Sequence, residues 1–104
     1  MDTREYLINK LEKEFSVSRY NQYGDWVMMH IDRIVTNYPH LKIGAVIKCN
    51  IDGFEVVSEV KDFYINCYID NISILVDTGY GNVWYYETEE PTEKELQEYL
   101  VDSE

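Results

Sequence analysis

A chain of 104 residues with 45% hydrophobic content is enough for one domain with a modest core, so its acidity does not signal disorder. The net charge of −11 is one-sided: residues 1–48 carry 7 Lys/Arg against 6 Asp/Glu, whereas residues 49–104 carry 2 against 14. That second half would repel a phosphate backbone or an anionic bilayer, which excludes nucleic acid and membrane as direct partners.

Residues 2–15 read as an amphipathic helix. Asp2 and Glu5 stand at capping-box spacing, and Leu7, Ile8, Leu11 and Phe15 form one apolar stripe. Ser16 to Gly24 is polar and reads as a loop. Asp25 is the expected N-cap of a second helix running from Trp26 to about Asn37, with Val27, Ile31, Ile34, Val35 and Tyr38 on its apolar face. Pro39 ends it. The Trp, Val and Ile of residues 25–38 also suit a strand, but their period is nearer 3.6 than 2.

From Ile43 the period becomes 2, through Ala45, Ile47, Cys49 and Ile51. Asp52-Gly53 is a strong signal for a two-residue type I′ turn, which would set Ile51 opposite Phe54 and Cys49 opposite Val56. The phase slips at Lys61-Asp62, and then Phe63, Ile65, Cys67 and Ile69 carry the apolar face. Asp70-Asn71 is a further turn candidate, returning through Ile72, Ile74 and Val76. A last strand is expected from Val83 to about Glu87. Thr92 and Glu95 form a capping box for a closing helix whose apolar positions are Leu96, Tyr99 and Leu100. The expected fold is a single acidic α+β domain over residues 1–104. Its antiparallel β-meander has about four to five strands, with two N-terminal helices and one C-terminal helix packed on the sheet.

On this register the outward sheet face carries Glu55, Glu59, Tyr64, Asn66, Tyr68, Ser73 and Asp77, opposed by Lys48 and Lys61. Carboxylates interleaved with tyrosines can imitate a row of phosphates with stackable surface between. Glu93 and Glu95 complement the positive end of the closing helix. Glu87, Glu89 and Glu90 precede that helix and are better placed for a partner's arginines. The expected binding residues are therefore Glu55, Glu59, Tyr64, Tyr68, Asp77, Glu87, Glu89 and Glu90.

Catalytic and metal signatures fit poorly. Residues 48–59 nearly match a calcium loop at Asn50, Asp52, Gly53 and Glu59, but Lys48 stands where the first carboxylate is needed. His30 and His40 lack ligands at metal spacing. Gly79-x-Gly81 lacks the rest of a phosphate-binding fingerprint. Cys49 and Cys67, on the expected first and third strands, would lie roughly 10 Å apart and so stay reduced. No catalytic residue, metal or cofactor is expected.

Residues 74–79, Ile-Leu-Val-Asp-Thr-Gly, are similar to the active-site motif of retroviral-type aspartic proteases. That resemblance implies a homodimer in which Asp77 shares a proton with its symmetry mate. It covers six residues, the motif continues with Tyr80 where the family has a small residue, and residues 80–104 lack the family's second apolar-Gly segment.

The leading expectation is a protein that binds and blocks a basic, nucleic-acid-handling partner such as a nuclease. In composition it is similar to phage or mobile-element antirestriction, anti-CRISPR and nuclease-inhibitor proteins that act as DNA mimics. The alternative is a non-catalytic structural or adaptor subunit whose exposed aromatics seal a homodimer or a hetero-oligomer. The aspartic protease stands third. The first residues lack a signal peptide's basic and apolar regions, which fits the cytoplasm, or a host's cytoplasm for a viral protein.

Overall fold

The computed structural model describes residues 2–14, 22–67 and 72–102. Helix α1 (Thr3–Glu14) begins where expected: Asp2 Oδ1 accepts the Glu5 backbone N–H at 2.8 Å. The Glu5 carboxylate pairs with Arg4 instead of closing the box. Leu7, Ile8 and Leu11 are buried, and Phe15 lies outside the described residues.

Helix α2 (Gln22–Asn37) starts earlier than its sequence suggests. Asp25 is not its N-cap but lies within its first turn, where a carboxylate still complements the helix dipole. Gly24 is helical and buried, so packing outweighs its poor helix propensity. Of the expected loop, residues 16–21 lie outside the described residues. Val27, Ile31 and Ile34 are buried, with Val35 and Tyr38 packed at the margin of the core.

Five strands follow: β1 (Val46–Ile51), β2 (Phe54–Glu59), β3 (Asp62–Cys67), β4 (Ile72–Asp77) and β5 (Asn82–Trp84). β1 starts three residues later than the alternation suggests. Gly44 turns the chain with φ +85° just before it, and Ile43 is exposed. The hairpin register is the expected one, with Ile51 opposite Phe54 and Cys49 opposite Val56. Asp52 and Gly53 both hold positive φ, 52° and 85°, as a type I′ turn requires. Asn50 Oδ1 accepts the Gly53 N–H and braces the turn.

The strands form two antiparallel sheets, β1–β2 and β3–β4–β5. The slip at Lys61-Asp62 is the point where the chain leaves one sheet for the other. Lys61 N–H donates to the Asp77 carbonyl there, and Ser58 Oγ on β2 donates to the Thr78 carbonyl beyond β4. The β3–β4 pairing of Cys67 with Ile72 brackets residues 68–71, which lie outside the described residues together with the Asp70-Asn71 turn. β4 is the central strand, flanked on both edges. Ser73, opposite Asn66 on β3, is buried although it belongs to the predicted outward face, a correction to that expectation. The last strand ends at Trp84, and Tyr85–Glu87 form a 3-10 turn rather than more strand. The Glu87 carboxylate accepts the Trp84 N–H and closes that turn.

One core joins the two sheets to α1 and α2, through Leu7, Leu11, Ile31, Ile47, Phe63 and Val76 among others. α1 is fixed to β3 by polar contacts as well. Tyr6 OH donates to Asp62 Oδ1, and Lys10 Nζ donates to the same oxygen at 3.0 Å and to the Phe63 carbonyl. That hydrogen bond to Asp62, followed by burial, pushes the Tyr6 phenol up to about 12. Cys49 is a free thiol within the core, pushed up first by burial, and the side chain of Cys67 lies outside the described residues.

Helix α3 (Glu93–Asp102) has both halves of the expected capping box. Thr92 N–H donates to Glu95 Oε1 at 3.0 Å, and Glu95 N–H donates to Thr92 Oγ1 at 3.1 Å. The helix packs on β2, but none of its residues is buried, and Leu100 is exposed. Its expected apolar face therefore serves as a partial cover and not as core.

The turn at residues 52–53 gives a direct test. Gly53→Ala meets no steric obstacle, since nothing lies within 4 Å of the added carbon, but it holds φ +85°. The expected cost is about 1 kcal/mol from backbone strain alone, read by urea denaturation, with the slope unchanged.

Candidate functional site

Two lysines organise the acid of residues 49–104. Lys48 on β1 reaches Glu55 Oε1 on the neighbouring strand at 3.5 Å and Glu95 Oε2 on α3 at 3.3 Å. Its backbone also pairs with Glu89, N–H to carbonyl in both directions at 2.9 and 2.8 Å. The Glu95 hydrogen bond, opposed by some desolvation and helped by Glu55, pushes the Lys48 ammonium up. Lys48, Glu55, Glu87 and Glu89, with Cys49 and Asn50, surround a depression of about 300 Å³.

Glu55 also belongs to a larger groove of about 510 Å³ between β2 and α3. The rest of its lining is Val57, Tyr80, Glu95, Glu98, Tyr99 and Asp102. Residues 95, 98, 99 and 102 share one helical face, and Tyr80 comes from the turn between β4 and β5. Beyond the groove, Lys61 Nζ holds Glu59 Oε2 at 3.1 Å. That bond raises the Lys61 pKa, with Tyr99 and Asp77 near enough to add to it. Asp77 Oδ2 in turn accepts the Tyr64 hydroxyl at 3.3 Å, and Lys10 Nζ lies 5.0 Å from the Tyr64 ring centre. The negative charge of Asp77, then desolvation, raises the Tyr64 phenol.

The predicted binding residues thus fall along one connected band. Glu87, Glu89 and Glu55 meet around Lys48, Glu59 meets Asp77 around Lys61, and Asp77 meets Tyr64. Glu90 stands beside His40, where burial lowers the histidine pKa and the Glu90 charge opposes the shift. Tyr68 lies outside the described residues. Sequence reasoning missed Val57, Tyr80, Glu95, Glu98, Tyr99 and Asp102 as site residues. Two signals could have found them: an apolar Val57 between Glu55 and Glu59 on the outward face, and the helical spacing of the four α3 residues.

The remaining motifs have structural uses. Asp77 Oδ1 accepts the Gly79 N–H at 3.0 Å, and Thr78 Oγ1 donates to the Gly81 carbonyl at 2.8 Å while accepting the Tyr80 N–H. Asp-Thr-Gly is here the end of a strand and its turn. The calcium-like segment is the β1–β2 hairpin, with Asn50 spent on Gly53 and Lys48 on Glu55 and Glu95. Among the described residues no group of three or more His, Cys, Asp or Glu could hold a metal ion. His30 Nδ1 accepts from Arg33 at 2.8 Å. Thr88 Oγ1 gives its proton to the Tyr85 carbonyl, so His40 Nε2 is the donor in its 2.9 Å contact with Thr88.

Two outcomes are expected from this geometry. Thr92 backbone N–H, foremost, and Lys48 hold the Glu95 carboxyl at about 2, below its ordinary 4.5. A lowered carboxyl stabilises the fold above its ordinary pKa and loses that contribution as the pH falls through the folded one. Amide signals of α3 should therefore weaken between pH 4.5 and 2, and Glu95→Gln should remove that part of the acid transition. Asp77→Asn keeps an oxygen that can accept from Gly79, so the fold should persist, while the lost charge should slow partner association modestly. Pepstatin-sensitive peptidase activity in the wild type that vanishes in this variant would show instead that Asp77 is catalytic. No protein-family model, curated protein or solved structure matches this chain.

Proposed function

We propose that this chain is a non-catalytic binding protein that covers the basic, nucleic-acid-handling surface of a partner, such as a nuclease, as a phosphate-backbone mimic. The observation that carries this reading is the band from Glu87 and Glu89 through Glu55 and Glu95 to Asp77. Residues remote in sequence set their carboxylates along one track, with tyrosines between them and with Lys48 and Lys61 as internal braces. A track of one sign steers a basic partner and speeds its encounter, while aromatic side chains slow its departure once water is excluded. A host cell's cytoplasm, for a viral or mobile-element inhibitor, is the setting this reading implies.

A second reading, a structural or adaptor subunit, is favoured by a different observation. Phe54, Tyr86 and Val101 are 74%, 56% and 67% exposed, which is apolar surface suited to an oligomer. Salt separates the two, because a charge-steered complex weakens steeply as ionic strength rises and an apolar contact barely responds.

The expected outcomes are specific. The isolated protein should leave random duplex DNA unshifted in a gel at physiological salt, since its acidic half offers almost no counterion release. Capture from a host lysate should enrich a nucleic-acid-binding protein. Glu89→Lys with Glu90→Lys, both exposed, should slow association with that protein and flatten its salt dependence while leaving the melting temperature near wild type. Wild-type association rates in that double variant would place the binding surface elsewhere.

A further inference from the structure

We propose that the groove between β2 and α3, together with the outer face of α3, is the docking site for a basic amphipathic segment of the partner. Arginine or lysine side chains would lie in the groove and apolar ones on the helix. This inference rests on the basic-partner reading and assigns it a surface.

The argument begins with α3. A helix of ten residues gains little from propensity alone and ordinarily depends on burying an apolar face. This one buries no side chain fully, and only Glu95, Leu96 and Tyr99 are half-buried. Val101 is 67% exposed, and beside it a second hollow of about 420 Å³ is lined by Gln97, Glu98, Val101 and Asp102. Glu98 and Asp102 also line the groove on β2, so the two hollows share a rim. Glu55 links the groove to the depression around Lys48. The result is a groove and a hollow on the two sides of the Glu98 and Asp102 rim, both edged by carboxylates.

Charge selects the occupant. A second copy of this chain would bring the same acidic groove, and a net charge of −11 on each partner opposes that pairing. A basic segment removes the repulsion among Glu55, Glu98 and Asp102. The aromatic lining fits it too: Tyr80, 72% exposed, and Tyr99 both line the groove, and a guanidinium stacks on such a ring face while pairing with carboxylates at its edge. Val57 and Val101 give the segment's apolar side chains a place to bury.

The test uses the full chain and two synthetic probes, oligo-arginine and an amphipathic helical peptide of alternating arginine and leucine turns. Binding is followed by calorimetry and by amide shifts in labelled protein. The expected shifts centre on Tyr80, Glu98, Tyr99 and Val101, with the amphipathic peptide binding more tightly than oligo-arginine. Glu98→Gln with Asp102→Asn should weaken both probes about tenfold and reduce their salt dependence. Val101→Ser should weaken only the amphipathic peptide and leave the salt dependence unchanged. Circular dichroism confirms that each variant folds, as exposed positions allow. Shifts confined to Tyr64, Asn66 and Asp77 would overturn the groove assignment and leave the basic-partner reading standing. Failure of both probes to bind at low salt would overturn both. Concentration-dependent self-association that Val101→Ser abolishes would show that a second copy covers α3, and would likewise overturn this assignment.

Discussion

Lys48 ties together parts of the chain that share no sequence neighbourhood. Its backbone forms a one-residue bridge with Glu89, and its ammonium spans Glu55 on the next strand and Glu95 at the start of α3. Three acidic segments therefore converge on one residue, two of them on its ammonium and one on its backbone. Without it, the hairpin, the segment before α3 and α3 itself would present like charges to one another at close range. Exposed ion pairs contribute little each to stability, so the importance of Lys48 lies in placement. It sets where the carboxylates stand and thereby gives the acidic surface a fixed shape.

Lys61 repeats the device at the other end of the band with Glu59 and Asp77. The two cations pair with Glu55, Glu95 and Glu59, while Glu89 and Glu90 stay exposed. The core beneath is independent of this arrangement. It rests on α1, α2 and the inner faces of both sheets, where aliphatic side chains pack with few polar groups. The acidic surface and the core are thus built from largely separate residues.

Local features of the fold were legible in the sequence and nonlocal ones were not. Asp52-Gly53 and the Thr92–Glu95 box each specify their geometry within four residues, and both formed as read. The α+β class followed from the change of hydrophobic period near residue 45. The division into two sheets did not, because the slip at Lys61-Asp62 is as compatible with a bulge as with a crossing. It takes the Lys61 and Ser58 hydrogen bonds to residues 77 and 78 to decide it. The start of α2 was misplaced because Gly24 and its polar neighbours favour a loop locally, and burial outweighs that preference. For the site, the sequence showed how much acid there was and on which half. Which carboxylates meet depends on α3 folding back onto β2, and the apolar Val57 between two glutamates was the one local hint of that.

The lightly anchored α3 bears on timing as well as on shape. Elements with few buried contacts open ahead of the global unfolding transition, as separate cooperative units. α3 has no fully buried residue, whereas α1 and α2 supply buried side chains to the core. One wall of the groove therefore belongs to the element expected to open first. Any guest of that groove sees a receptor whose competent form is only part of its population, and its apparent affinity is scaled by that fraction. Tightening the hold on α3, without touching a single contact to the guest, would then strengthen binding.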